Sequence, residues 1–318
     1  MRNIIIGDIH GCSRALQDLL GQVKPDPVCD RLILLGDLFD RGPESWEVLQ
    51  TVKKLEAAFG DRFVLLRGNH EDYLLQTKLP FMQRLVWERV GRSATVRSFR
   101  RHHEKMEDSA GWIREHAVLY WKSPGSCMTC PENAAAICAP PFQCVHAGIL
   151  VDPIEANDSY TLIHDHAVVL RNRYAGPLTI TGHIALEEPT WFPGRNDQSE
   201  GRDSGSAEEK TAHAENARGK SRESGAAEEK NTHAENAGGK SLDSGSSEGV
   251  PETAGDSENA GAATDREHLR PPAVLPYGTR LSLPVQGVLC IDTGCGKGGK
   301  LTAMVIDGGF FSLYCAAE

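Results

Sequence analysis

Gly7-Asp8-Ile9-His10-Gly11, Gly36-Asp37-Leu38-Phe39-Asp40-Arg41-Gly42 and Gly68-Asn69-His70-Glu71 are the stretches whose reading decides the fold of this chain. Each directly follows an apolar run: Ile4–Ile6, Leu32–Leu35 and Phe63–Leu66. Short apolar runs closed by glycine turns have the character of buried strands. Three strand ends therefore deliver Asp8, His10, Asp37, Asp40, Asn69 and His70 to one edge of one sheet, where open α/β folds place their chemistry.

Helical patterns fill the intervals. Ala15, Leu16, Leu19 and Leu20 recur at helical spacing behind Ser13, a candidate N-cap, and Trp46, Val48, Leu49, Val52 and Leu55 repeat the pattern over 44–58. This strand–helix alternation predicts an α/β fold with a mixed or parallel sheet covered by helices. Residues 72–120 read as mainly helical, and their basic run, Arg97, Arg100, Arg101, His102 and His103, reads as a solvated helix face. After a Pro-rich and Ala-rich loop at 123–141, strand character resumes before His146 and again before His183. Gln286–Gly294, Gly299–Asp307 and Phe310–Tyr314 then read as consecutive antiparallel strands closing a second sheet, which makes a two-layer sandwich flanked by helices.

Composition excludes several classes. Of 318 residues, 40% are apolar and 25% charged, values of a soluble globular protein. No window approaches 18 consecutive apolar residues, so no membrane partner is expected. Met1 and Arg2 lead straight into a strand without an apolar leader, and a cytoplasmic location is the expectation. A net charge of −10 argues against a nucleic acid polymer as partner. Nine cysteines without an export signal read as free thiols rather than a disulfide framework. Cys127 and Cys130 have the spacing of half a zinc site, with Cys138 and Cys144 nearby, but no second pair of that spacing follows.

The character of the chain changes at residues 195–270. No Phe, Trp, Tyr, Ile, Met or Cys occurs there, and over 197–270 there are 17 acidic against 9 basic residues. A segment of this kind cannot bury enough apolar surface to offset its ordering entropy and is expected to be disordered. It carries a repeat of period twenty: Ser204–Lys210 with His213–Asn216 recurs as Ser224–Lys230 with His233–Asn236. The units have no apolar face to stack, so a solenoid is excluded, and a replicated surface insertion is the simpler account. One catalytic domain is thus expected in two parts, residues 1–194 and 271–318.

The polar residues at strand ends are Asp8, His10, Asp37, Asn69, His146 and His183. Taken singly, a strand-end Asp is usually a turn residue and a His a hydrogen-bonded packing residue. Five such sites in glycine-flanked contexts are a pattern that chance rarely produces. Carboxylates, imidazoles and one amide oxygen suit Mn²⁺, Fe or Zn²⁺. Six ligands exceed what one open catalytic ion takes, so two divalent ions sharing a bridging carboxylate are expected, with phosphoester hydrolysis by a metal-activated hydroxide as the reaction class.

The motifs GDIHG, GDLFDRG and GNHE, in this order, resemble the signature of the phosphoprotein phosphatase family within the calcineurin-like metallophosphoesterases, in its bacterial form. The later VHAG, TGH and IDTG-x-x-x-GG-x-L segments match as well, and the resemblance covers residues 1–192 and 281–318. It implies that Asp8 and His10 hold one metal, that Asp37 bridges, and that Asn69, His146 and His183 hold the other, with Mn²⁺ expected first. It further implies His70 as general acid oriented by Asp40, Arg41 as phosphate clamp, and Arg171, or else Arg173, as a second clamp. The activity it implies is a protein serine/threonine phosphatase acting on a phosphoprotein or a small phosphoester. A symmetrical diadenosine tetraphosphate hydrolase shares these motifs and is the alternative, and a catalytically dead scaffold is disfavoured by the intact His70.

Overall fold

A computed structural model describes residues 1–76, 78–124, 139–195 and 269–318, all within one compact unit. The possible zinc ligands Cys127, Cys130 and Cys138, and the body of the insertion with its repeats, lie outside the described residues. Cys144 is a buried, unpaired thiol in a strand.

In chain order the first elements are β1 (Asn3–Ile6), α1 (Ser13–Val23), β2 (Arg31–Leu34), α2 (Ser45–Phe59) and β3 (Phe63–Leu66). Four helices follow, α3 (Asn69–Leu75), α4 (Phe81–Arg89), α5 (Arg92–Arg101) and α6 (Ala110–His116), and then β4 (Ala117–Val118), β5 (Tyr120–Lys122) and β6 (Phe142–Val145). The chain continues through α7 (Ser159–His164), β7 (Leu178–Thr181), β8 (Thr190–Phe192), β9 (Ala273–Val274), β10 (Leu281–Ser282), β11 (Val288–Cys290), β12 (Lys300–Asp307) and β13 (Phe310–Ala317). Helix α1 begins one residue earlier than the N-cap reading of Ser13: Ser13 is its first residue, Cys12 is the cap, and no side chain caps it.

The strands form two mixed sheets, ordered β10-β13-β12-β1-β2-β3-β4 and β5-β6-β7-β11-β8-β9. Strand alternation divides the apolar residues between layers. Ile5, Ile33, Leu66, Ile180, Leu289 and Met304 fill the space between the sheets. Ile4, Ile6, Leu32 and Leu34 face the other way, onto Leu16, Leu19, Val48 and Val52 of α1 and α2. Each fully buried aliphatic side chain contributes roughly 1.5–3 kcal/mol. Residues buried on both faces explain why these strands read as unbroken apolar runs.

The C-terminal strands differ from the expectation. β12 and β13 do form an antiparallel hairpin, but it joins the first sheet, with β12 antiparallel to β1 at Ile5↔Met304. β11 belongs to the second sheet and runs parallel to β7. The loop between β11 and β12 thus crosses from one layer to the other, and a two-faced apolar run does not say on which layer it lies.

This topology gathers the chemistry. β1, β2 and β3 are mutually parallel, and so are β6, β7 and β11, so each sheet ends three strands together. The first two motif loops are zipped by backbone bonds: His10 N–H to Asp37 O at 2.8 Å, Gly11 N–H to Leu38 O at 2.9 Å and Gly42 N–H to His10 O at 2.9 Å.

Arg195 and Leu269 pair as an antiparallel bridge beyond the β8–β9 pair. The described residues on either side of 196–268 therefore lie next to each other. Excising residues 197–267 and closing the gap with a short glycine-containing turn is expected to leave the melting temperature and p-nitrophenyl phosphate turnover within about twofold of the intact chain. Loss of soluble, active protein on that deletion overturns the insertion reading.

Candidate active site

Asp8, His10, Asp37, Asp40, Asn69, His70, His146 and His183 all converge, and all are buried. The backbone is strained at four of them and at Arg41: φ is +46° at His10, +49° at Asp37, +70° at Asp40, +66° at His183 and +64° at Arg41. Left-handed conformations at non-glycine residues cost on the order of 1–3 kcal/mol each and persist where the surroundings hold them. Here the cross-loop hydrogen bonds hold the first two loops, and His183 N–H to Asp8 Oδ2 at 2.9 Å holds His183. Two glycines make room for carboxylates: a Cβ on Gly68 would fall on Asp37 Oδ1, and one on Gly182 would fall on Asp8 Oδ1.

Two clusters share Asp37. In the first, His10 Nε2 lies 3.5 Å from Asp37 Oδ2 and 4.0 Å from Asp8 Oδ2. In the second, His146 Nε2 lies 3.5 Å from Asp37 Oδ1, 3.4 Å from Asn69 Oδ1 and 3.2 Å from His183 Nδ1, and His183 Nδ1 is 3.0 Å from Asn69 Oδ1. The tautomers follow from the far sides of the rings. His10 donates Nδ1–H to Phe39 O at 2.9 Å and His146 donates Nδ1–H to Leu35 O at 2.8 Å, which leaves both Nε2 atoms as bare lone pairs. Burial holds the pKa of His10 well below its ordinary value and lowers His146 and His183 as well, so these imidazoles are neutral.

The second cluster consequently brings four acceptor atoms together with at most one hydrogen among them, on His183. Asp8 Oδ1 and His10 Nε2 in the first cluster are buried and have no hydrogen-bond partner. Burial, followed by repulsion from Asp292 and Asp37, pushes the Asp8 carboxyl well up. A donor set of lone pairs and crowded carboxylates, with at most that one hydrogen to share, fits divalent cations. Asp8, His10 and Asp37 would hold one ion, and Asp37, Asn69, His146 and His183 the other.

His70 stands apart from the other histidines. Its Nδ1 is 2.6 Å from Asp40 Oδ2, and its Nε2 lies 3.8 Å from Asp37 Oδ2 without a hydrogen-bond partner. Burial opposes charge on this ring, but Asp37 and the hydrogen bond to Asp40 outweigh it and raise the pKa. Asp40 is itself clamped, accepting Trp87 Nε1–H at 2.6 Å and Thr95 Oγ1–H at 2.7 Å.

Arg41 is half-buried and lines a cleft of about 460 Å³ with Arg89, Val90, Gly91, Gly296 and Lys297. Across the cluster, a second cleft of about 260 Å³ is lined by Asn69, Tyr73, Gln76, Gln83, Tyr160, His164, His166 and His183. Arg171 lines neither of these two clefts; it is exposed on the turn where its N–H meets Ala167 O at 3.1 Å. Arg173 is exposed on the same turn.

Sequence reasoning passed over several residues that build the site. Glu71 is fully buried and accepts three backbone N–H groups, from Asp37 at 2.8 Å, Leu38 at 2.8 Å and Gly68 at 3.0 Å. Its signal was a Glu three residues after the helix-preceding Gly68, half of a capping box. Asp292 is buried with Oδ2 unpartnered, and its Oδ1 accepts Gly294 N–H at 2.9 Å. Its signal was the same apolar run, carboxylate and glycine found around Asp8. Trp87 and Thr95 left no signal, since nothing in a helix pattern announces a hydrogen bond to a residue about fifty positions away.

A sequence profile described as calcineurin-like phosphoesterase matches residues 1–210. Among curated proteins, the chain is similar to the symmetrical bis(5'-nucleosyl)-tetraphosphatase of Erwinia tasmaniensis, 36% identical over 121 residues that make up 37% of this chain and 39% of that protein. It is also similar to the protein of the same name from Klebsiella pneumoniae, 51% identical over 75 residues, 24% of this chain and 25% of the relative. The chain thus spans about two fifths or less of the length of these relatives. Among solved structures, a metallophosphoesterase from Sphaerobacter thermophilus aligns over 99% of this chain and 88% of its own, with a TM-score of 0.49 at 11% identity.

Proposed function

This chain belongs to the calcineurin-like phosphoesterase family, and from that premise we propose that it is a metal-dependent hydrolase that splits dinucleoside tetraphosphates symmetrically into two nucleoside diphosphates. The observation that carries this reading is the local identity of 36–51% to proteins named for that reaction. The protein serine/threonine phosphatase reading, placed first on the motifs alone, becomes the second choice, because those motifs are common to both activities and no phosphoprotein-specific feature supports it.

The second cleft adds physical support. Tyr160 and His164 stack at 5.6 Å, His166 stacks on His183 at 4.1 Å, and Gln76 and Gln83 supply amides beside them. Aromatic faces next to side-chain amides are what a nucleobase needs for stacking and for hydrogen bonding at its edge.

In the proposed reaction the central phosphoanhydride P–O bond breaks, and a water oxygen becomes bonded to one of the two phosphorus atoms. When bound, the two divalent ions supply Lewis-acid charge to the phosphoryl oxygens and lower the pKa of water. The chain's own residues do the remainder. Arg41 meets two phosphate oxygens with its guanidinium fork. His70 gives the proton from Nε2 to the departing bridge oxygen, with Asp40 fixing the ring through Nδ1. Trp87 and Thr95 hold Asp40 in place and so act as positioning residues. The buried setting strengthens each of these interactions relative to water.

Parallel turnover by the Mn²⁺-loaded protein of diadenosine tetraphosphate and a phosphoserine peptide tests the assignment. A kcat/KM at least tenfold higher for the dinucleotide, with ADP as the sole nucleotide product, is expected. A preference for the phosphopeptide, or release of AMP and ATP, overturns it.

A further inference from the structure

The cleft beside Arg41 has a composition that hydrolysis of a phosphomonoester does not require. Arg41, Arg89 and Lys297 line it with Val90, Gly91 and Gly296, and no carboxylate takes part, in a chain whose net charge is −10. Among the described residues none of the three cationic side chains has a partner at hydrogen-bond or ion-pair distance, and the carboxylates that act on Lys297 from farther off, Asp292, Asp8 and Asp37, belong to the neighbouring cluster. The nearest acid in sequence to Arg89, Glu88, is engaged by Arg92 at 2.7 Å.

The cleft is built onto the catalytic constellation. Arg89 ends α4, two residues after Trp87, whose indole is fixed on Asp40. Gly91, at φ +116°, lets the turn after α4 press on the Arg41 backbone, where a Cβ would collide with Arg41 N. On the opposite wall, the loop from β11 to β12 is pinned by Gly294 N–H to Asp292 Oδ1 and by Lys297 N–H to Gly294 O, each at 2.9 Å. A Cβ on Gly296 would stand 2.7 Å from His10 Cβ and 3.0 Å from Arg41 Cβ, so the loop lies directly on the first metal cluster. Two independent walls thus aim one cation each at the mouth that Arg41 already occupies.

We propose that Arg89 and Lys297, together with Arg41, form a subsite for the non-scissile phosphates of a nucleoside polyphosphate and so select a polyphosphate over a phosphomonoester. The inference rests on the hydrolase reading above. Beyond the phosphate held by the metals, a polyphosphate chain carries further negative charge within one or two P–O–P links, which a phosphomonoester lacks. Lys297 is compact and flexible and Arg89 sits at a helix end, so the pair tolerates more than one phosphate geometry. Specificity for chain length follows, with no need to recognise the second base.

The test uses the Mn²⁺-saturated intact chain and the variants Arg89→Ala, Lys297→Ala, the double variant, and the charge-keeping Arg89→Lys and Lys297→Arg. The readout is the ratio of kcat/KM for diadenosine tetraphosphate to kcat/KM for p-nitrophenyl phosphate. Each alanine variant is expected to lower the ratio about tenfold, the scale of one lost charge-assisted contact, and the double variant more, while the charge-keeping variants restore it to within about threefold. A ratio in the double variant within about twofold of wild type overturns the proposal. A second readout does not depend on dinucleotide cleavage: ADP and AMP compete with p-nitrophenyl phosphate, and wild type is expected to prefer ADP, a preference the double variant loses. If wild type fails to cleave the dinucleotide but keeps this preference, the functional reading falls and the subsite stands. If wild type binds ADP no better than AMP, the subsite falls.

Discussion

On the proposed reading, asparagine in place of His70 is expected to lower kcat by roughly 10²–10⁴-fold, the range of a general acid, in Mn²⁺-loaded protein whose metal content is unchanged. The geometry makes this a discriminating experiment, because His70 can be grouped with His10 and Asp37 as a possible metal-binding set. Two features argue against ligation. His70 Nε2 is farther from Asp37 Oδ2 than His10 Nε2 is, 3.8 Å against 3.5 Å, and the ring's other nitrogen is tied to a carboxylate rather than to a backbone carbonyl. The substituted amide would keep one N–H for Asp40 and so preserve the packing, yet it has no proton to give. The loss should therefore be larger for phenyl phosphate than for p-nitrophenyl phosphate, whose nitrophenolate departs without protonation. Elemental analysis of the purified His70→Asn variant should return the wild-type metal content. One ion lost per chain makes His70 a ligand, and an equal loss of rate on both substrates removes it as the acid.

The parts of the site legible in the sequence are those whose signal is local. Ile4–Ile6 before Gly7-Asp8, and the two later copies of that pattern, declare strand, turn and carboxylate within a few residues, because a two-faced buried strand and a glycine turn each leave a compositional mark. His146 and His183 could be read the same way. What could not be read is whatever depends on pairing between distant segments. The apolar run of β11 is indistinguishable from that of β12, yet one lies parallel to β7 and the other antiparallel to β1. Trp87 and Thr95 lie in helices whose patterns concern packing, while their donated hydrogens meet Asp40 across 47 and 55 residues. Arg171 is exposed on its turn, and neither its motif position nor its exposure fixes where its guanidinium meets a substrate.

Alanine in place of Glu71 is expected to cost on the order of 3–6 kcal/mol of stability, because three buried N–H groups lose their acceptor at about 1–3 kcal/mol each, with partial relaxation. The donors belong to Asp37, Leu38 and Gly68, so a single carboxylate from the third motif holds the backbone of the second. Burial, followed by repulsion from Asp37, pushes the Glu71 pKa up to about 7, and the hydrogen bonds from Leu38 and Asp37 oppose that shift. The Asp37 turn sits at φ +49°, a conformation that its surroundings must hold, and Glu71 supplies two of the bonds that do so. Glutamine separates this account from a general packing effect. Its carbonyl can occupy the Oε2 position and keep Asp37 and Gly68 N–H satisfied, while its amide then faces Leu38 N–H, so one contact of the three is lost and about 1–3 kcal/mol is the expected cost. Denaturant unfolding of the metal-free variants measures both values, and Mn²⁺ titration should show binding that strengthens in the order alanine, glutamine, wild type. An alanine variant within about 1 kcal/mol of wild type, less than one lost buried acceptor costs, would show that the Asp37 turn holds its shape without Glu71, and that the strained bridge position is maintained by the cross-loop bonds between His10 and Asp37 alone.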